Sequence, residues 1–345
     1  MFQKAFKCGL LAALCQMGST AALAADPVVL RVAHFWPPMA MSQKQGLEPW
    51  CAKIAAESQG GLKCQIYPAM QLGGTPGQLL DQVADGVADI VWTLPGYTAG
   101  RYPSMEVFEL PFMVRRAEGA SRAAWQYYEQ FGRKDFARVK PLAFHVHDAG
   151  YVHNNRQPIR SLADFKGLKM RAPTRLTNKM LAAFGASPVA MPLPQITESL
   201  SKGVIDGYVL PWEVVPTVKL HEITRFHSET PADGPSLYTA VFVMAMNPAR
   251  YDSLSPELKK VIDANSGLAL SGQLGALWDA SAPPARQQAA ARGNAFHMLD
   301  AQELTKWQAV GDQLAGDWVQ EVSGKGYPGQ KMLETARSLI SAQGR

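Results

Sequence analysis

Hydrophobic and polar positions in this chain repeat with two periods. Apolar, β-branched runs of four to eight residues end at glycine or proline, and between them lie stretches whose apolar residues recur every three or four positions. Leu30 to Phe35 (LRVAHF) predicts a first strand, and Leu47, Trp50, Ile54 and Ser58 share one face of a helix that Gly60-Gly61 stops. Leu62 to Tyr67 predicts the next strand, Leu79, Leu80 and Val83 a short helix ended by Gly86, and Ala88 to Leu94 (ADIVWTL) a buried strand. Strands alternating with helices in this way indicate α/β architecture.

Two apolar segments, Pro141 to Asp148 and Leu237 to Met246, read as strands that carry the chain from a first lobe to a second and back. Ser255-Pro256 starts a helix with proline at its favoured first position. Leu258, Val261 and Ile262, then Leu270, Leu274, Leu277 and Trp278, predict that it runs on to Pro283-Pro284, with a bend at Gly267, Gly272 or Gly275. Asp300 to Glu303 opens a last helix with Leu304, Trp307, Leu314, Trp318 and Val322 on one side. The expected division is a first lobe of 25–148 plus about 236–280 and a second of 149–235 plus about 281–345. About 320 residues exceed one comfortable core, which agrees with two lobes. An internal echo supports it: Asp81 to Ile90 (DQVADGVADI) and Glu198 to Gly207 (ESLSKGVIDG) both read as a helix end, a left-handed glycine and Val-x-Asp entering a strand.

The chain ends set the compartment. Lys4 and Lys7 precede an apolar run from Gly9 to Leu14, and Ala22-Leu23-Ala24 is a small-x-small site, so residues 1–24 are expected to be a signal peptide cleaved before Ala25. Cys8 and Cys15 follow Lys7 and Leu14, not the small residue lipidation wants, so a lipoprotein is rejected. Cleavage leaves Cys51 and Cys64, thirteen positions apart, expected to form one disulfide in an oxidising compartment. The formal charge of +5 becomes +3 once Lys4 and Lys7 leave, because residues 1–24 hold no acids. That charge is too weak and dispersed for nucleic acid, and no later run is long enough to span a bilayer.

Candidate chemistry is sparse. His145, His147 and His153 lie close together, and 145 and 147 would share one face of a strand, but no partner at metal-ligand spacing accompanies them, so no metal is expected. There is no G-x-S-x-G elbow, phosphate loop or dinucleotide fingerprint. What remains is Arg171, at the end of a strand-like run that Pro173 stops, before a helix from about Thr177 to Phe184. An arginine held there presents a planar fork to a carboxylate, and the helix start adds N–H groups nearby. Aromatic residues after strand ends, His34-Phe35-Trp36, Tyr97 and Trp212-Glu213, are candidate walls of a ligand crevice.

Taken in order, His34, Gln71-Leu72-Gly73-Gly74, Asp85-Gly86, Glu109-Leu110-Pro111-Phe112, Pro158-Ile159, Asp164-Phe165-Lys166-Gly167-Leu168-Lys169, Arg171, Gly203-Val204-Ile205-Asp206-Gly207 and Met246-Asn247 resemble the solute-binding proteins of tripartite ATP-independent periplasmic (TRAP) transporters over nearly the whole mature chain. The resemblance implies a two-lobed periplasmic binding protein fold, class II-like, with a long lobe-bridging helix. It implies a monomer without cofactor or enzymatic activity that closes on a small organic acid and delivers it to a membrane permease driven by an ion gradient. Arg171 takes the place of the arginine that holds the ligand's carboxylate, Trp212 and Glu213 fall where the family places polar ligand contacts, and Gln195 stands where it often has glutamate, a candidate cleft-lining residue. Asn247, at the end of the return strand, is a further candidate to hydrogen-bond the ligand. Where many members carry a second arginine, this chain has Gly150-Tyr151-Val152-His153, with valine at that position. Tyr151 and His153 are candidate replacements. With one fixed cation a monocarboxylate is expected, since an unpaired second carboxylate is costly to bury. Three aromatic surfaces suit an aromatic or branched 2-oxo or 2-hydroxy acid. A binding protein of an ATP-driven importer and a periplasmic enzyme acting on a small acid are the alternatives.

Overall fold

A computed structural model describes residues 26–343; the expected signal peptide, with Cys8 and Cys15, lies outside them. The strands form two sheets. The first contains β1 (Val28–His34), β2 (Leu62–Tyr67), β3 (Ile90–Thr93), β4 (Lys140–Val146) and β10 (Val241–Met246), in the order β2-β1-β3-β10-β4. The second contains β5 (Gly150–Asn154), β6 (Lys169–Ala172), β7 (Ser187–Ala190), β8 (Gly207–Pro211), β9 (Phe226–Glu229) and β11 (Ala295–Met298), in the order β11-β9-β5-β8-β6-β7. The chain changes sheet between β4 and β5 and returns between β9 and β10. β10 runs antiparallel to both neighbours, β3 and β4. Its residues are buried throughout, as are those of β3, so both read as continuous apolar runs.

The helices are α1 (Glu48–Glu57), α2 (Leu79–Ala84), α3 (Ala117–Tyr127), α4 (Arg175–Ala183), α5 (Ile196–Ser201), α6 (Val214–Thr217), α7 (Pro248–Asp252), α8 (Pro256–Ala264), α9 (Gly267–Ala291), α10 (Ala301–Gly324) and α11 (Gly329–Gln343). α9 packs on α3 and β4 and also touches α6, so it bridges the two lobes. Two corrections apply to the long helix expected here. It is broken into α8 and α9 at Gly267, whose φ of +76° turns the backbone left-handed. It also runs through Pro283 and Pro284 instead of stopping there. Both prolines are exposed, and the carbonyls they leave unbonded, on Asp279 and Ala280, lie on the half-buried to exposed side within reach of water. α11 was not expected; it lies on α3, burying Met332, Leu333 and Ala336.

Cys51 of α1 and Cys64 of β2 form the disulfide, with Cα atoms 5.8 Å apart. Ser255 and Asp300 cap α8 and α10 through their side chains. The internal echo is a repeated structural corner. In the first lobe Gly86 takes φ +78°, the Arg31 N–H donates to Asp89 Oδ2 at 2.8 Å, and the Asp89 N–H donates back to the Arg31 carbonyl at 2.9 Å. In the second, Gly203 takes φ +69°, the Lys169 N–H donates to Asp206 Oδ2 at 2.9 Å, and the Asp206 N–H returns to the Lys169 carbonyl at 2.8 Å. The cationic side chains match too: Arg31 Nη2 reaches the Gly86 carbonyl and Lys169 Nζ the Gly203 carbonyl, each at 2.8 Å.

Candidate functional site

β6 ends at the seam between the lobes, and its position inside the second sheet is what fixes Arg171. The residue pairs with Val189 of β7 and Tyr208 of β8. Its side chain donates from Nε to the Met191 carbonyl at 3.0 Å and from Nη1 to the Val209 carbonyl at 3.2 Å. Pro173 then ends the strand, and Thr174 caps α4 by accepting from the Thr177 N–H. Arg171 is only 1% exposed, yet no acidic side chain lies within 4 Å of it among the described residues. Burial lowers its pKa, but a guanidinium stays charged across the accessible pH range. The fold therefore holds a buried, orientated cation whose anion is not among the described residues.

Arg171 borders a narrow cavity of about 30 Å³ left between the lobes. The first lobe supplies aromatic walls. Phe35 and Trp36 stack with centroids 4.2 Å apart, Tyr97 meets Phe35 edge-on at 5.3 Å, and Phe242 stacks on Trp36 at 5.5 Å. Apart from Arg171, the second lobe contributes an apolar floor that includes Leu193, Leu210 and Val214. Buried apolar residues continue without a break from the first sheet into this floor, so the lobes are closed. The closed seam also explains Gly96: a Cβ there would sit 2.6 Å from Thr174 Cγ2 of the opposite lobe.

Phe35, Trp36, Tyr97 and Arg171 are thus the sequence candidates that the structure brings together. The others lie elsewhere. His34 is buried against Gln43, with Nε2 3.1 Å from Gln43 Oε1, and burial pushes its pKa down to about 4. Trp212 turns away from the cavity, donating to Glu229 Oε1 at 2.7 Å beneath the His153 and His227 rings. Tyr151 lies beside Trp212, 6.4 Å away. Glu213 is buried next to the floor but does not border the space, and burial pushes its pKa up to about 7. Gln195 lines an outer vestibule. Asn247 is remote: it caps α7 by accepting from the Arg250 N–H at 2.7 Å and donates to the Val83 carbonyl at 2.8 Å.

His153 does not replace the missing second arginine. Its Nε2–H donates to the Leu210 carbonyl at 3.0 Å, so its Nδ1 is the acceptor in the 2.7 Å contact with His227. Burial lowers its pKa to about 4, and the ring is neutral. His145 and His147 do share a face, both rings lying near Phe242 and Trp278, but no metal-ligand cluster occurs among the described residues. His147 does border the cavity; its nitrogens bind the Asp148 carbonyl at 2.5 Å and the Ala240 N–H at 2.9 Å, leaving only its ring for a ligand.

Sequence reasoning missed Tyr238, Ala240 and Phe242, which line the cavity together. Their spacing of two in an extended segment was the available signal. Tyr238 also needs Gly150 opposite it, since a Cβ there would lie 2.1 Å from Tyr238 Cε1.

Known proteins share this fold. A TRAP solute-binding protein from Rhodoferax ferrireducens, solved with copurified benzoate, superposes with a TM-score of 0.90 at 48% identity over 92% of this chain and 98% of that one. One from an unidentified marine microbe, specific for aromatic acids and solved with 3-hydroxybenzoate, gives 0.91 at 47% identity over 92% and 99%. A third, from Bordetella bronchiseptica with bound (R)- and (S)-mandelate, gives 0.85 at 27% identity over 92% and 99%. The model of bacterial extracellular solute-binding protein family 7 (DctP) matches residues 32–321, and the chain belongs to that family as a TRAP solute-binding protein.

Proposed function

We propose that the protein captures an aromatic monocarboxylate in the periplasm, after removal of its signal peptide, and hands it to a TRAP permease without chemical change. One observation carries this reading: Arg171 is a buried cation without an acidic partner, opening onto a cavity whose other walls are aromatic or apolar. A buried charge left unpaired is unfavourable by several kcal/mol, so an anion that enters and pairs with it gains strongly. There is one such cation at the cavity among the described residues, and the nearby histidines are held neutral, so one carboxylate is accommodated and a second is not. The stacked rings favour a flat, unsaturated body over a branched aliphatic one. Bound benzoate, 3-hydroxybenzoate and mandelate in three similar structures support the same class. None of the described helices is long and apolar enough to cross a membrane.

The lobes in this reading are 25–148 with about 236–280, and 149–235 with about 281–345, except that α11, lying on α3, travels with the first lobe. The second lobe holds the carboxylate while the cleft is open. The aromatic walls of the first lobe reach the ligand only on closing, so ligand shifts the population to the closed state. Calorimetric titration of the ligand-free protein tests this. Benzoate, 3-hydroxybenzoate and mandelate should bind, and succinate and benzamide should bind far more weakly. Tight binding of dicarboxylates alone would overturn the proposal, and so would recovery of a chemically altered ligand.

A further inference from the structure

We infer that Tyr97 is a carboxylate-sensing latch, a positioning residue of the first lobe whose hydroxyl couples ligand capture to closure. The inference rests on the aromatic-acid reading above and assigns a role to one atom. Tyr97 lies just past β3, in the first lobe, but its hydroxyl is spent on the second. It accepts the Leu193 N–H at 3.2 Å, and the Arg171 guanidinium lies beside it. Both neighbours are donors only. A phenol oxygen has two lone pairs and one hydrogen. With one lone pair taken by the Leu193 N–H, the Tyr97 hydrogen finds no acceptor in either neighbour, and the Tyr97 side chain borders the cavity that Arg171 faces.

An acid seated on Arg171 therefore meets one further charge-assisted donor, and that donor comes from the opposite lobe. This is the differential contact that a ligand needs in order to favour one conformation, because it exists only when the cleft is shut. An open cleft leaves Arg171 able to bind the carboxylate but takes the Tyr97 hydroxyl away.

The ring of Tyr97 adds a second function. Tyr97 and Pro173 border both the inner cavity and an outer vestibule of about 470 Å³ lined by both lobes. The ring is thus the partition between ligand and solvent. Its hydroxyl pins that partition to Leu193, so release requires the latch to break.

Tyr97→Phe keeps the partition and removes the hydroxyl alone. Hydrogen bonds to charged groups carry enough energy to predict that benzoate leaves Tyr97→Phe about 10- to 100-fold faster than the wild type in stopped-flow measurements, with a much smaller change in association rate. The loss should track the carboxylate: affinity for benzoate falls and the weak affinity for benzamide does not. The ligand-free variant should unfold at nearly the wild-type temperature, and small-angle scattering at saturating benzoate should show a larger open fraction. Release within twofold of wild type, or an equal loss for benzoate and benzamide, would overturn the latch. If the wild-type protein bound no aromatic monocarboxylate, the ligand reading itself would fall and the latch with it.

Discussion

Asp89 in the first lobe and Asp206 in the second hold their corners with the same bonds, whereas the strand ends facing the cleft have nothing in common. One lobe ends its strands in Phe35, Trp36 and Tyr97; the other ends β6 in a buried arginine. The corners are solutions to a folding problem, turning a helix into a strand without stranding polar backbone groups, and the same solution serves twice. The cleft faces are divided between binding the charge and enclosing the ring. A closing protein needs that division, because a lobe carrying both would bind equally well open or shut.

The largest effect expected from disturbing this division is on binding. Arg171→Met should lower benzoate affinity by more than about 100-fold in calorimetry, since it removes one side of a desolvated charge pair. The melting temperature of the ligand-free protein should not fall, because the change also removes an unpaired buried charge. Opening the Cys51–Cys64 disulfide acts on stability alone: reductant should lower the unfolding free energy by about 3 kcal/mol in urea titration. Benzoate affinity of the folded protein should be unchanged.

Equivalence of the corners can be tested directly. Asp89→Ala and Asp206→Ala should each cost about 2 kcal/mol, with ligand affinity untouched. Bonds from the Lys169 N–H and Arg156, countering burial, hold the Asp206 pKa below its ordinary value. A depressed carboxylate stabilises above its unfolded pKa, so this contribution should vanish on acidification. The seam shows the opposite sign. Burial, with Glu106 nearby, pushes Glu109 up to about 8, and burial pushes Glu213 up to about 7. Both are protonated in the fold below those values, so their contribution is full in acid and lost as pH rises from about 4.5 to about 8. Glu109→Gln should flatten that decline by roughly 4 kcal/mol in melts across this range.

Much of the scaffold could be read from the chain. β2, the disulfide, α2 with its glycine stop, the caps at Ser255 and Asp300 and the repeated corner follow from local rules of periodicity and termination. α11 and the passage of α9 through two prolines could not be read so, because burial against α3 and solvent on the proline side decide them. The site divided in the same way. Arg171 stands in a local context of strand, proline and helix that singles it out in the sequence, and the structure places it at the cavity. Asn247 and Trp212 stand in equally suggestive contexts, yet their polar atoms are taken by neighbouring backbone and by Glu229. Strand-end position indicates access to a crevice, but the hydrogen-bond partners that decide orientation come from distant sequence. Tyr238 shows the converse, a cavity wall hidden in a run read only as a strand.

A crystal structure with benzoate would test the central claim most directly. The carboxylate should lie within about 3 Å of the Arg171 guanidinium and the Tyr97 hydroxyl, with the ring against Phe35, Trp36 and Phe242. A ligand bound elsewhere, or one whose carboxylate is held by groups other than Arg171, would contradict it.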